Sequence, residues 1–209
     1  MDEAAERALH WRDIWAHRKP DEVSWFERRP EVSLELIARC GPSSLDAVID
    51  VGGGASTLAA TLVACGQADV TVLDIAPEAL AAAREEAGPE AWRIAWIVAD
   101  LLSWRPQRRY ALWHDRAVFH FLTEPADRAR YRAVLEAALA PGGCAIFATF
   151  APDGPDRCSS LPVQRHDEAS ILEWLGPGWD IVESRRQEHR TPGGAPQRFA
   201  WTALRMKLS

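Results

Sequence analysis

The stretch VIDVGGGAST, residues 48–57, decides the fold of this 209-residue chain. An apolar run ends in three glycines and leads into the helical pattern STLAATLVACG, which predicts a buried strand that turns sharply into a helix. Gly52, Gly53 and Gly54 lack a Cβ atom, so a ligand can lie directly against the backbone. A tight connection without any ligand fits the same residues, because a glycine-rich turn alone is a weak signal.

The next strand supplies an acidic partner for this turn. Asp74 closes the segment VTVLD, at the place where dinucleotide-binding folds put a carboxylate that accepts both ribose hydroxyls. The alternative interpretation is a helix N-cap ahead of Pro77, and one carboxylate can serve both purposes. Because open α/β sheets bind ligands at the carboxyl ends of adjacent strands, the two elements together predict a nucleoside cofactor.

Apolar runs and helical patterns alternate through the middle of the chain, which predicts a mostly parallel sheet with helices on both faces. In the last third, Asp167 is predicted to cap the short helix EASILEWLG. The segments WDIVESRRQEHR and QRFAWTALRM then flank the turn signal TPGGAP. They predict a terminal antiparallel hairpin on the parallel sheet.

Composition excludes several classes of function. The chain has 24 basic and 30 acidic residues and a net charge of −6, so no basic field collects nucleic acid phosphates. The four cysteines form no CxxC pair, and the histidines share no metal-ligand spacing, so we predict free thiols and no metal. The N-terminus is charged and predicts neither a signal peptide nor a membrane span, which favours the cytoplasm. The sequence does not indicate an oligomeric state.

Several segments resemble class I methyltransferases that use S-adenosylmethionine. The spacing D-x-G-x-G opened by Asp50, with Ser56 where a third glycine is usual, is similar to the family's first motif. WIVADLL and LAPGGCAIFATF resemble two later passages, and the likeness spans residues 46–206. The resemblance implies a Rossmann-like fold with a mostly parallel seven-stranded sheet and the C-terminal antiparallel hairpin.

The resemblance also implies a set of cofactor contacts. Asp50 and the Gly52–Gly54 turn would face the methionine half of S-adenosylmethionine, and Asp74 would bind its ribose. The remaining residues would lie beside the adenine, with Ile75 packing on the ring next to Asp100 and Leu101.

The segment WHDRAVFHFL, residues 113–122, follows the fourth strand and is predicted to lie beside the cofactor rim. In one interpretation Asp115 binds a substrate proton or cation, Arg116 holds an anionic group or the cofactor carboxylate, and His114 belongs to the same catalytic set. In the other, Asp115 and Arg116 form an ion pair that caps the next helix, and His114 fills the wall. The adjacent arginine would lower the pKa of Asp115, which favours positioning over proton abstraction.

A narrower resemblance is to the thiopurine S-methyltransferase-like enzymes. It rests on the DRA tripeptide with its Arg-rich helix and on the opening W-x(3)-W arm, in which Trp15 would fold over the cofactor. Residues 1–45 are therefore predicted to form an N-terminal helical arm or lid, and residues 46–209 the cofactor-binding domain, within one structural domain. Trp11 and Trp15 also fit plain packing of an amphipathic helix.

This resemblance implies methyl transfer to a small-molecule nucleophile such as a thiol, which is partly ionised at neutral pH without a strong base. The alternative is a protein lysine N-methyltransferase, because small lysine methyltransferases carry D-K-G at the position of Asp115–Ala117. A nucleotide-binding module of the NAD type and a non-catalytic S-adenosylmethionine sensor are the alternatives from other classes.

Overall fold

The computed structural model describes residues 3–208 and contains a seven-stranded sheet in the order β3-β2-β1-β4-β5-β9-β8. The first five of these strands run parallel, and β9 pairs antiparallel with both β5 and β8. Two short strands, β6 and β7, pair separately. The strands are β1 Val48–Val51, β2 Val70–Asp74, β3 Ile94–Val98, β4 Tyr110–Arg116, β5 Leu139–Phe150, β6 Arg157–Cys158, β7 Leu161–Pro162, β8 Trp179–Arg190 and β9 Pro196–Met206.

Residues 3–208 also contain six α-helices and three short 3₁₀ helices, of which the first two α-helices and the first 3₁₀ helix precede β1. The α-helices are α1 Glu3–His17, α2 Glu31–Cys40, α3 Leu58–Ala64, α4 Pro77–Ala87, α5 Pro125–Ala138 and α6 Glu168–Leu175. The 3₁₀ helices are Pro20–Glu22, Gly88–Arg93 and Phe119–Phe121. The predicted cap of α6 is confirmed, because the Asp167 side chain accepts a hydrogen bond from the Ser170 amide at 3.0 Å.

The core lies on both faces of the sheet because successive side chains of a strand point to opposite sides. Val48 belongs to a buried cluster with residues of α2, α3 and α4. Ile49 and Val51 belong to a second cluster with residues of α5 and α6. The prediction of a mostly parallel sheet with a closing hairpin and helices on both faces is therefore confirmed.

One passage differs from the sequence expectation. The segment LAPGGCAIFATF, residues 139–150, resembles a family passage in which PGG separates a helix from a strand, but it contains no separate loop here, because extended backbone begins at Leu139, directly after α5. The pairing with β4 shifts between Tyr110 and Leu112, and Gly142 has a φ of +73° within the shift. A glycine with positive φ at a register shift is typical of a bulge, which explains how strand and turn merge here.

The carboxyl ends of β1, β2 and β4 meet at one edge of the sheet, because these strands are parallel neighbours. This edge carries the residues that the sequence singled out. Within residues 3–208, no helix is both long and apolar enough to cross a membrane. The cytoplasmic location stays a prediction.

Candidate active site

The glycine turn after β1 is held in one conformation by the neighbouring strands. The Gly52 amide donates a hydrogen bond to the Leu73 carbonyl at 2.6 Å, and φ is +61° at Gly52 and +51° at Gly54. A Cβ atom at Gly52 would lie 2.0 Å from a methyl carbon of Val118. The left-handed conformation and the close packing together require glycine at position 52.

Asp74 at the end of β2 braces this turn. Its carboxylate accepts hydrogen bonds from the Gly54 amide at 2.9 Å and from the Ala76 amide at 2.8 Å. Burial is the main reason that the pKa of Asp74 rises to about 6, and these amides oppose the shift. Each carboxylate oxygen keeps a second lone pair, so the group can still accept hydroxyl donors from the cavity.

Asp50 and His114 form a buried chain with a serine from α2. The His114 Nδ1 atom lies 2.7 Å from Asp50 Oδ1, and its Nε2 atom lies 3.0 Å from Ser33 Oγ. Since a carboxylate only accepts, Nδ1 donates to Asp50, and in the neutral ring Nε2 accepts from the serine hydroxyl. All three residues line the same cavity.

Asp100 is tied to the N-terminal helix. Its Oδ2 atom accepts from Arg7 of α1 at 2.7 Å, and its Oδ1 atom accepts from the Leu102 amide at 3.0 Å. Ile75 and Leu101 line the cavity beside it. The structure thus brings together the residues predicted for the adenine end.

Aromatic residues of the N-terminal arm close one side of the cavity. Trp11 contacts Trp25 and Phe121 edge to face, with ring centroids 6.1 and 5.1 Å apart. Trp15 contacts Trp25 in the same manner at 6.1 Å. All three tryptophans of the arm line the cavity, and a Cβ atom at Gly54 would lie 3.3 Å from the Trp15 ring. The arm therefore lies directly over the glycine turn.

Asp115 takes a different position from that of its neighbours. It is fully buried and is not part of the cavity lining. Its carboxylate accepts from the Val118 amide at 3.0 Å, from the Phe119 amide at 3.1 Å and from the Tyr131 hydroxyl at 2.6 Å. Burial is the main reason that its pKa rises to about 6. The geometry supports the capping interpretation for Asp115 and gives no support to contact with a substrate.

Arg116 lines the cavity but does not pair with Asp115 as the capping interpretation had it. Its Nη1 atom donates to the Trp25 carbonyl at 2.8 Å, and its Nη2 atom lies 3.3 Å from Glu27 Oε1. The guanidinium also lies 5.2 Å from the centre of the Phe199 ring. Burial lowers the pKa of Arg116. Its Nε and Nη2 atoms are buried without a hydrogen-bond partner among residues 3–208.

Three residues of this cavity were missed at the sequence level. Ser33 and Glu27 precede the core strands and match no motif. Arg7 had a usable signal, because Arg7, Trp11 and Trp15 stand at i, i+4 and i+8 and therefore share one face of a helix. Among residues 3–208, no group of three His, Cys, Asp or Glu side chains is placed to hold a metal ion.

Comparison with known proteins identifies the domain. Residues 48–143 match the family model described as a methyltransferase domain. The match covers 96 of the 209 residues and supports a methyltransferase that uses S-adenosylmethionine. The chain is thus an enzyme of the transferase class, which favours this interpretation over a nucleotide-binding module of the NAD type. No curated protein sequence matches the chain.

Solved structures agree on the fold across the whole chain. The N-methyltransferase NodS from Bradyrhizobium japonicum, in complex with S-adenosylhomocysteine, is 17% identical with a TM-score of 0.70, over 98% of this chain and 99% of that one. The 1,6-didemethyltoxoflavin N1-methyltransferase from Burkholderia thailandensis is 20% identical with a TM-score of 0.69, over 99% and 92%. A protein from work on the conversion of a disulfide bond into a thioacetal group in echinomycin biosynthesis is 20% identical with a TM-score of 0.76, over 96% and 93%. At such identities the likeness concerns the fold.

The cavity of this methyltransferase fits its methyl donor. A side chain at position 54 would fill the gap between the glycine turn and the Trp15 ring. Because residue 54 is glycine, this gap stays open for a ligand. Asp74 and Asp100 present acceptor oxygens along the same rim, which suits a ribose and an adenine.

Proposed function

We propose that this methyltransferase acts on a small-molecule nucleophile, a thiol or another polarisable heteroatom. The observation that carries the proposal is the single cavity that joins the glycine rim to an aromatic chamber under the arm, lined by Trp11, Trp25, Phe26 and Phe121. A chamber of this kind excludes water and suits a compact, partly apolar acceptor.

The donor-side residues in this proposal are those of the rim. Asp50 and the Gly52–Gly54 turn would hold the methionine half, Asp74 the ribose, and Ile75, Asp100 and Leu101 the adenine, with Trp15 covering the cofactor. Arg116, which lies toward the acceptor side, would hold an anionic group or the cofactor carboxylate through its Nε and Nη2 atoms, which have no hydrogen-bond partner among residues 3–208. The donor supplies an electrophilic methyl group on a sulfonium, so the chain's task is to position, enclose and desolvate.

Two observations bear on the acceptor atom. A thiol with a reference pKa near 8.5 is partly ionised at neutral pH and needs little help from a base. The similar proteins are associated with both sulfur and nitrogen chemistry. The echinomycin protein comes from work on a disulfide bond that becomes a thioacetal, whereas NodS and the toxoflavin enzyme are N-methyltransferases. A small amine is therefore the second candidate, whereas a protein lysine would have to pass beneath the arm.

A screen with labelled S-adenosylmethionine tests the proposal. Thiols, selenols, halides, small amines and a lysine-containing protein extract would be offered in parallel to the purified chain. We expect label on small thiols, with amines next. Label on protein alone would contradict the proposal and favour the lysine alternative.

A further inference from the structure

The carboxylates that line the cavity differ in whether other groups of the chain donate hydrogen bonds to them. Asp50, Asp74 and Asp100 each accept hydrogen bonds from neighbouring groups of the chain. Glu27 lines the same cavity and its side chain is only 13% exposed. Among residues 3–208, no group donates a hydrogen bond of normal geometry to it. A buried carboxylate without such donors is costly unless something else pairs with it.

Glu27 has two charged or titratable neighbours, one on each side. Arg116 Nη2 lies 3.3 Å from its Oε1 atom, and Nδ1 of His189, on β8, lies 3.7 Å from the same oxygen. Both neighbours also fix the segment that carries Glu27, because Arg116 donates to the Trp25 carbonyl and His189 bonds the Ser24 carbonyl at 2.8 Å. The position of Glu27 is thus set by elements outside the arm.

The hydrogen bond of His189 determines where its free lone pair points. A carbonyl only accepts, so Nε2 carries the proton in the neutral ring. Nδ1 then presents a lone pair toward Glu27. Burial lowers the pKa of His189, with Arg116 adding to the shift and Ser24 and Glu27 opposing it, which favours the neutral ring. Two acceptors face each other with no proton between them.

We propose that Glu27, backed by His189, binds the proton-bearing heteroatom of the acceptor and takes its proton. This inference rests on the proposed function. The acceptor heteroatom loses its proton to a Glu27 oxygen and forms a bond to the methyl carbon. The bond from that carbon to the sulfonium sulfur breaks, and both of its electrons stay on sulfur. The proton stays on the Glu27 carboxyl group, which donates a hydrogen bond to the Nδ1 lone pair of His189.

The inference also names an acceptor class. It is a small aromatic molecule whose nucleophile carries a hydrogen at neutral pH, either an S–H or an N–H group. The aromatic chamber receives the ring, and Glu27 receives the hydrogen. Asp115 cannot take this role in the observed geometry, because its oxygens are bound to Val118, Phe119 and Tyr131 outside the cavity lining.

Two thiols of different acidity separate proton transfer from simple positioning. Phenylmethanethiol is protonated at neutral pH, whereas 4-nitrothiophenol is already ionised. We expect Glu27→Gln to lower kcat/KM for phenylmethanethiol about 100-fold, since general bases contribute about 10²- to 10⁴-fold. For 4-nitrothiophenol the same variant should change kcat/KM by less than about threefold, because no proton has to leave. Glu31→Gln, an exposed neighbour paired with Arg29, is the matched control and should resemble the wild type.

His189→Gln is a second variant, which tests the same role if Glu27→Gln fails to fold. His189→Gln keeps an amide donor for the Ser24 carbonyl but lacks the Nδ1 lone pair, and we expect about a tenfold loss restricted to phenylmethanethiol. Thermal unfolding and binding of S-adenosylhomocysteine establish that each variant is folded. Equal losses on both thiols, or none, would overturn the proton-accepting role while leaving the proposed function intact. A wild type that binds S-adenosylhomocysteine but methylates neither thiol would overturn the acceptor proposal and this inference together.

Discussion

The polar side chains in the two halves of the cavity differ in how many of their hydrogen bonds are made within the chain. At the glycine rim the carboxylates of Asp50 and Asp74 are held by hydrogen bonds from His114, Gly54 and Ala76. On the acceptor side, Arg116 has two buried nitrogens without hydrogen-bond partners in the described part of the chain, and Glu27 has only ion-pair contacts at 3.3 and 3.7 Å. The rim carboxylates thus have hydrogen-bond donors within the chain, whereas the charged groups on the acceptor side have atoms without hydrogen-bond partners in its described part.

This difference separates what the fold needs from what a reaction needs. Satisfied polar groups are stable without a ligand, but unsatisfied buried ones carry a cost that a bound partner relieves. Substitutions at the rim and beneath it should therefore affect stability or cofactor binding. Those on the acceptor side should affect turnover.

The largest effect is expected at the rim itself. Gly52→Ala should lower the free energy of unfolding by about 4 kcal/mol, because it adds left-handed strain to a clash with Val118. Gly66 is the matched control, since its φ is +98° and, apart from Gly66 and its two chain neighbours, no atom of residues 3–208 lies within 4 Å of the point that a Cβ atom would occupy. Gly66→Ala should cost only the strain, about 1–2 kcal/mol. Urea unfolding measures both, and equal losses would mean that the packing of Gly52 is unimportant.

Asp115 tests whether a residue next to the site belongs to it. Asp115→Ala removes the partner of two amides and the Tyr131 hydroxyl, so we expect a loss of about 2–3 kcal/mol in unfolding free energy. The Kd for S-adenosylhomocysteine should change less than about threefold. Asp153→Ala, at an exposed ion pair with Arg198, should cost under about 0.5 kcal/mol. An inactive but fully stable Asp115→Ala protein would restore the catalytic interpretation.

Asp74 should give a smaller effect on cofactor binding, together with some loss of stability because the Gly54 and Ala76 amides lose their acceptor. Asp74→Ala should weaken S-adenosylhomocysteine binding about tenfold, equivalent to about 1.4 kcal/mol, through the lost ribose contacts. Asp69→Ala serves as the control, because Asp69 lies just before the same strand and pairs with Arg108 at the surface. Calorimetry measures both, and an unchanged Kd for the Asp74 variant would refute the ribose role.

The pH dependence of binding sharpens the same test. The pKa of Asp74 is raised to about 6, so its carboxylate is mostly ionised at pH 7 and mostly protonated at pH 5. A protonated carboxyl has fewer acceptor sites for the ribose hydroxyls, so affinity should fall as the pH drops from 7 to 5. The Asp74→Ala protein should lack this dependence. A parallel pH response in both proteins would assign the effect to another group.

The sequence predicted the sheet, its hairpin and the rim because these depend on local patterns. Alternating apolar runs set the strands, and the glycines with Asp74 follow from backbone geometry at the ends of parallel strands. Asp50, Ile75 and Leu101 line the cavity for the same reason.

The acceptor side was less accessible to sequence reasoning because it is assembled from distant segments. Glu27 precedes the first strand, whereas His189 comes from the closing hairpin, and no spacing rule connects them. Asp115 shows the converse difficulty. Consecutive residues of a strand point to opposite faces, so His114 and Arg116 line the cavity while the residue between them lies against Tyr131.

The ionic attachment of the N-terminal arm has a consequence for its response to salt. Arg7 bonds Asp100 at 2.7 Å and Arg12 bonds Glu78 at 3.0 Å, with the second pair largely at the surface. Surface ion pairs contribute little and weaken with salt. We therefore expect rising ionic strength to weaken the Arg12–Glu78 pair and to loosen the arm over the cofactor, while the aromatic contacts of Trp11 and Trp15 remain.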